Sequence, residues 1–228
     1  MHRTLDQALG RRTVLGGILA LGATTLPGCA AVQTASMTDA VRKMLYLASQ
    51  NAFDRLTGPG GFYDDRLNRI ELPEGLRKGG DKLAHFLTSA VFKEQLEKGF
   101  AKMARRGAAY AAPRVVDAIR TASIPDAQAV IRSGPTGATQ FLRQAMGGSL
   151  IEVMVPELGE AIRVADDPLV AQAIASLTGL DNAGGLARNL AGQVDDRIWQ
   201  AIGREEETMR AHPESISDPV LRHLFRAS

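Results

Sequence analysis

The sequence predicts an all-α fold: a single multi-helix domain with short irregular segments, preceded by a signal peptide. Three observations carry this expectation. Apolar residues recur at three- and four-residue spacing along most of the 228-residue chain, while alternating strand patterns are scarce. Caps, prolines and paired glycines cut that pattern into helix-sized lengths. An apolar run near the N-terminus, preceded by a basic stretch, is too short to cross a bilayer.

Residues 1–28 make up the expected signal peptide. Residues 1–13 are polar and basic, and Val14 to Leu26 form the apolar run, short of the roughly 20 residues that span a membrane. Leu26-Pro27-Gly28-Cys29 resembles a lipobox, in which a small residue precedes a cysteine that is diacylated and becomes the new N-terminus. Two or more acyl chains anchor stably where one does not. The competing reading is ordinary secretory cleavage near Ala30 or Ala31, which discards Cys29. Cys29 is the one cysteine, so an internal disulfide is excluded. Gly10-Arg11-Arg12-Thr13-Val14-Leu15 resembles a twin-arginine export motif; two arginines of an ordinary charged leader is the other reading. Ala30, and not an aspartate, follows the cysteine, which resembles the pattern of Gram-negative lipoproteins sent to the outer membrane.

Residues 29–36 read as a tether and 37–228 as the helical domain, with no repeat or long linker. The domain is 45% hydrophobic but only 5% aromatic over the whole chain, so its core is built from Leu, Ile, Val, Ala and Met. The net charge of +2 belongs to the leader. Removing Arg3, Arg11, Arg12 and Asp6 leaves 24 basic and 24 acidic residues of 27 and 25. A formally neutral mature chain gives no case for a nucleic-acid partner.

The elements follow in order. Ser36 or Thr38 starts a helix to about Leu56, with Val41, Leu45, Ala48, Ala52 and Leu56 on one face. Gly58-Pro59-Gly60-Gly61 ends it. Phe62 to Gly75 is irregular, with Arg69-Ile70-Glu71-Leu72 extended and Pro73 closing it. Helices are expected at 74–79 and 81–98, then from about Phe100 to Ala122, with Pro113 kinking or dividing the last. Ser123-Ile124-Pro125-Asp126 starts a short helix ending at Gly134. Thr136 caps the next, Gly147-Gly148 breaks the pattern, and Ser149 restarts it to about Ala165. Pro168 opens a helix ending near Gly179. A long helix runs from about Leu186 to Ala211, with Leu190, Val194, Ile198 and Ile202 inward, and Pro213 stops it. Asp218-Pro219 starts a final short helix.

Candidate chemistry is sparse. His85, His212 and His223 lack the four-residue spacing of a zinc pair, and His85 reads as structural. Gly134-Pro135-Thr136-Gly137-Ala138-Thr139 turns into a helix and presents amides that can hold an anion. It lacks the Lys-Ser/Thr of a phosphate loop, so a helix-to-helix turn is the plainer reading. Asp64, Asp65 and Asn68 lack the spacing of a calcium loop. Asp166-Asp167 and Asp195-Asp196 are adjacent acids expected to point apart. Glu206 and Arg210 read as an exposed helical pair. Lys98, Lys102 and Arg105 or Arg106 fall near one helical face; this is a basic surface for anionic lipid or an acidic partner, or a solvated face.

Several segments resemble, in order, a bacterial family known as domain-of-unknown-function family 4197. They are Gly61-Phe62, Ile70-Glu71-Leu72-Pro73, Ala118-Ile119, Asp126 to Ile131, Gly137 to Arg143, Glu205-Glu206, Met209-Arg210 and Pro213. The resemblance covers roughly residues 40–226 and implies an exported helical protein. The family pattern has Asn-Arg-Ala-Ala-Glu before the central proline, where this chain has Ala101-Lys102-Met103-Ala104-Arg105. A base replaces the acid, which marks a divergent member.

The expectation is a non-enzymatic lipoprotein facing the periplasm, without cofactor or metal. It is held to the membrane by its lipid anchor, with an envelope protein or an amphiphile as partner. The alternatives are an envelope enzyme with a site assembled from distant residues, and a soluble periplasmic amphiphile-binding protein. A perturbed buried carboxylate or histidine in a polar pocket favours an enzyme. An apolar groove with a basic rim favours an amphiphile, and a flat apolar patch favours a protein partner.

Overall fold

Periodic burial turns the amphipathic pattern into four long helices that share one core. The computed structural model describes residues 27–72, 89–178 and 183–226, apart from the side chains of 27–36, 176–178, 224 and 226. The leader with Arg11 and Arg12, the Cys29 side chain, the expected 74–79 helix and His85 lie outside the described residues. Among the described residues there are eight α-helices and no strand. They are α1 (Pro27–Thr57), α2 (Ala90–Thr121), α3 (Ala127–Arg132), α4 (Gly137–Met146), α5 (Ser149–Arg163), α6 (Pro168–Thr178), α7 (Ala183–Ala211) and α8 (Pro219–Arg226), with a 3-10 turn at Pro213–Ser215.

The helices α1, α2, α5 and α7 each pack against two of the others in cyclic order, and α2 also touches α7. Val41, Leu45, Ala48, Ala52 and Leu56 are buried on α1, as their spacing requires. Facing them are Leu96 and Phe100 of α2, Leu150, Met154 and Leu158 of α5, and Leu190, Val194, Ile198 and Ile202 of α7, all within one core. Shorter helices cover this frame: α4 lies on α7, α6 lies on α2 and α5, and α8 meets α1. Lys43 of α1 pairs with Asp218, which also accepts the Val220 and Leu221 amides at 3.0 and 3.1 Å and so caps α8. No helix among the described residues is long and apolar enough to cross a membrane.

Four boundaries differ from expectation. First, α1 begins at Pro27, upstream of Ser36 and Thr38. Second, α2 runs unbroken from Ala90 through Gly99, where a helix end was expected. Gly99 is a packing residue: a Cβ there meets Val170 Cγ2 at 2.6 Å, so its absence lets α6 lie close against α2. Third, α2 continues through Pro113, because Pro113 and the Ala109 carbonyl it leaves without its amide partner both face solvent. The same holds for Pro156 inside α5, above exposed Glu152. Fourth, α3 begins only at Ala127, after the expected Ser123 to Asp126 start, and Asp126 caps it by accepting the Ala129 amide at 2.8 Å.

The extended stretch at Arg69 to Leu72 has no strand partner among the described residues. It lies against α7 instead: Gln193 accepts the Glu71 amide at 2.8 Å and donates to the Glu71 carbonyl at 3.2 Å, and Arg197 Nε donates to the Arg69 carbonyl at 3.2 Å. These side chains satisfy backbone groups that a neighbouring strand would otherwise pair. Ile70 and Leu72 then point inward together.

Candidate functional site

The spacing of Lys98, Lys102, Arg105 and Arg106 puts all four on the exposed side of α2. Three of them take acid partners. Lys98 donates to Glu94 at 2.6 Å, one turn before it. Lys102 donates to Asp166 at 2.6 Å, in the turn between α5 and α6. Arg106 pairs with Glu157 of α5. Arg105 makes no ion pair with another described residue. The expected basic face is therefore largely neutralised, by one acid of α2 itself and by two brought from α5 and the turn after it.

Two of those acids, Glu94 and Asp166, give up their protons more readily than free carboxyls. The hydrogen bond from Lys98 holds the Glu94 carboxyl below its ordinary range, and Glu94 raises Lys98 in return. Lys102 lowers Asp166 in the same way. Burial pushes the Asp167 carboxyl up, but the Leu169 amide, Gln95 and the Val170 amide together outweigh it and hold it below the ordinary value. Each of these pairs is exposed, and such pairs contribute little to stability.

Two hollows flank this face, and Lys98 and Lys102 line both. The first, about 520 Å³, lies between α2 and the loop after α1, and is polar. Gly60, Tyr63, Asp64, Glu94 and Arg105 form its walls. Lys98 Nζ sits 5.4 Å from the centre of the Tyr63 ring, a cation–π contact that fixes one wall. Gly60 has φ 75°, a left-handed conformation that only glycine adopts without strain, and the Asp64 carboxylate folds back over it.

The second hollow, also about 520 Å³, is an apolar groove between α2 and the junction of α5 and α6. Gly99, Met103, Ala161, Val164, Ala165 and Val170 supply its apolar surface, and Lys98, Lys102, Arg106, Asp166 and Asp167 its rim. Val164 is 53% exposed within it. The stretch where the chain departs from the family pattern is the wall between the hollows. Ala101, Lys102 and Arg105 face the polar side, Lys102 and Met103 face the groove, and Ala104 enters the core.

The other expected candidates resolve as structure. The glycine-rich turn does hold an anion at the start of α4, and the anion is Glu206 of α7. Its carboxylate accepts the Ala138 amide at 3.0 Å, and the Thr139 amide and hydroxyl at 2.7 and 2.6 Å. Arg210 donates to it at 2.6 and 3.0 Å and reaches the Ile131 carbonyl at 2.9 Å. The Glu206–Arg210 pair expected on the surface is thus buried, with Glu206 0% exposed. Gly203 explains this. A Cβ there lies 3.3 Å from Thr136, so glycine lets α4 settle onto α7 and cover the pair.

Asp195 and Asp196, expected to point apart, are bridged by Arg143 of α4 at 3.1 and 2.5 Å. Asp195 also accepts the Trp199 indole N–H at 2.9 Å. Burial pushes its carboxyl up against these partners. A hollow of about 320 Å³ adjoins it, lined by Arg143, Trp199, Arg204 and Glu207, but Asp195 itself does not face that space. Asp65 accepts the Leu67 amide and the Asn68 side-chain amide, which makes a local turn and not an ion cage. His212 and His223 are exposed. Among the described residues no three His, Cys, Asp or Glu side chains converge as metal ligands.

Sequence reasoning missed the groove. Met103, Val164 and Val170 come from three elements, which the packing of α2 on α5 and the close approach of Val170 to Gly99 bring together. Comparison with known proteins adds family membership. No curated protein and no solved structure matches the chain. The family model described as a protein of unknown function (DUF4197) matches residues 31–226, most of the chain. The chain belongs to that family.

Proposed function

We propose that this chain is an envelope lipoprotein, anchored through Cys29, whose helical domain binds an amphiphile and carries out no reaction of its own. The single observation behind the binding role is the groove between α2 and the α5–α6 junction: an apolar floor with charged groups at its rim. Such a cleft removes an alkyl chain from water, at about 0.8 kcal/mol per buried CH₂, while leaving a polar head at the edge. The leader and Leu26-Pro27-Gly28-Cys29 support the anchor, and Ala30 supports an outer-membrane destination facing the periplasm.

The enzyme reading has less behind it. Among the described residues Asp195 is the one buried carboxylate whose proton affinity is raised, yet Trp199 and Arg143 occupy its oxygens and it does not line the adjoining hollow. A flat partner patch has less support too, since exposed Tyr46, Leu67, Tyr110 and Val220 lie on different elements.

Intact and native mass spectrometry of the protein purified from membranes of its own host tests the proposal. It predicts an N-terminus at Cys29 carrying acyl mass, lost in Cys29→Ala, and a second, non-covalent amphiphile mass lost in Val164→Lys. An unmodified mass starting near Ala30 sinks the anchor. Absence of the non-covalent mass sinks the groove.

A further inference from the structure

The two hollows share the exposed side chains of Lys98 and Lys102 as a wall, and a ligand laid over that wall would put an alkyl chain in the groove and its head in the polar hollow. The charges in the polar hollow indicate the kind of head. Lys98 is paired with Glu94, and Lys102 with Asp166. Arg105 and Asp64 remain, both exposed, and neither makes an ion pair with another described residue, although Lys98 stands within Coulombic reach of Asp64. The open groups of this hollow are therefore one base and one acid.

We propose that the polar hollow is a headgroup subsite for a zwitterionic lipid, with a phosphate at Arg105 and a protonated amine at Asp64. This inference rests on the groove reading and gives that ligand its class. A purely anionic head would meet Arg105 but face Asp64 and Glu94, and could gain further cations only by displacing Glu94 or Asp166. A cationic head meets the converse obstacle. An uncharged head leaves both open charges to water. A zwitterion answers each charge with its opposite and displaces no pair. Ionised acids near neutral pH support this balance, since the Glu94 and Asp166 carboxyls stay charged through their lysine partners. A phosphate on a guanidinium is among the stronger charge-assisted contacts.

Isothermal titration of the mature chain with three lauroyl amphiphiles, all below their micellar concentrations, tests this. Lauroyl lysophosphatidylethanolamine is zwitterionic, lauroyl lysophosphatidylglycerol is anionic, and monolaurin is uncharged; all carry one lauroyl chain on a glycerol backbone. The zwitterion is expected to bind about tenfold more tightly than either of the others. Arg105→Gln and Asp64→Asn should each erase that preference and leave monolaurin binding unchanged. Equal binding of all three, or tighter binding of the anionic one, overturns the headgroup inference and leaves the groove standing. Binding of none overturns the groove reading, and the headgroup inference with it.

Discussion

The Glu206 carboxylate of α7 caps α4 from across a helix–helix contact, accepting the Thr139 amide at 2.7 Å and the Thr139 hydroxyl at 2.6 Å. Thr136, the N-cap by position, makes no side-chain bond to the free amides of the helix. The first turn of α4 is instead satisfied by a residue 67 positions away. Because Arg210 neutralises the same carboxylate, the buried charge has no oxygen left bare. The α3–α4 corner and α7 are thereby tied into one unit.

Removing that charge should be costly. Glu206→Gln keeps one acceptor but turns an amide NH₂ toward the α4 donors or toward Arg210, and leaves Arg210 part-buried without its counter-charge. A loss of about 3 kcal/mol is expected, read as a lower urea midpoint. Glu207→Gln, one position on and exposed, should change stability by less than about 0.5 kcal/mol.

Gly99→Ala separates two opposed effects. Helix propensity alone predicts a gain of up to about 1 kcal/mol. The Cβ, however, meets Val170 Cγ2 at 2.6 Å, and Val170 is 1% exposed, with little room to yield. A net loss of about 1–3 kcal/mol is expected. Val170→Ala in the same chain should recover part of it, giving a non-additive double-mutant cycle.

Val164→Lys should uncouple binding from stability. Val164 is already 53% exposed at the C-cap of α5, where a cation suits the helix end. Unfolding should shift by less than about 0.5 kcal/mol, while binding of monolaurin weakens about tenfold or more. Equal loss in both measurements would mean that the residue acts through the fold.

Asp195 gives a pH signature of definite sign. Its folded carboxyl holds a proton more tightly than the unfolded one, so the folded state binds more protons between the ordinary value of 3.8 and the raised one. Stability contributed at this site is therefore present below that window and lost as pH rises through it. Asp195→Asn keeps an acceptor for the Trp199 N–H and removes the titration. As pH rises from the ordinary carboxyl value through the raised one, the wild type should lose stability relative to the variant. A wild type that gains relative to the variant contradicts the assignment.

The helices were legible because burial obeys the local period. Val41, Leu45, Ala48, Ala52 and Leu56 are all inward, and α7 follows its pattern through Ile202. Gly99 was misread because a glycine that ends a helix and a glycine that admits a neighbouring helix look alike until Val170 is in place. Pro113 was ambiguous because only exposure decides whether its missing hydrogen bond matters. The basic face was visible on α2, but its neutralising partners Asp166 and Glu157 lie 64 and 51 positions away. The buried state of Glu206 depends on Gly203 admitting α4, which no local pattern announces.

Occupation of the groove is the central claim, and methyl NMR of methionine-labelled protein tests it most directly. Met103 lines the groove, while Met44 and Met154 are fully buried in the core. Addition of monolaurin below its micellar concentration should shift the Met103 methyl signal in a saturable way and leave those of Met44 and Met154 in place. An unmoved Met103 signal, or equal movement of all three, would contradict the account.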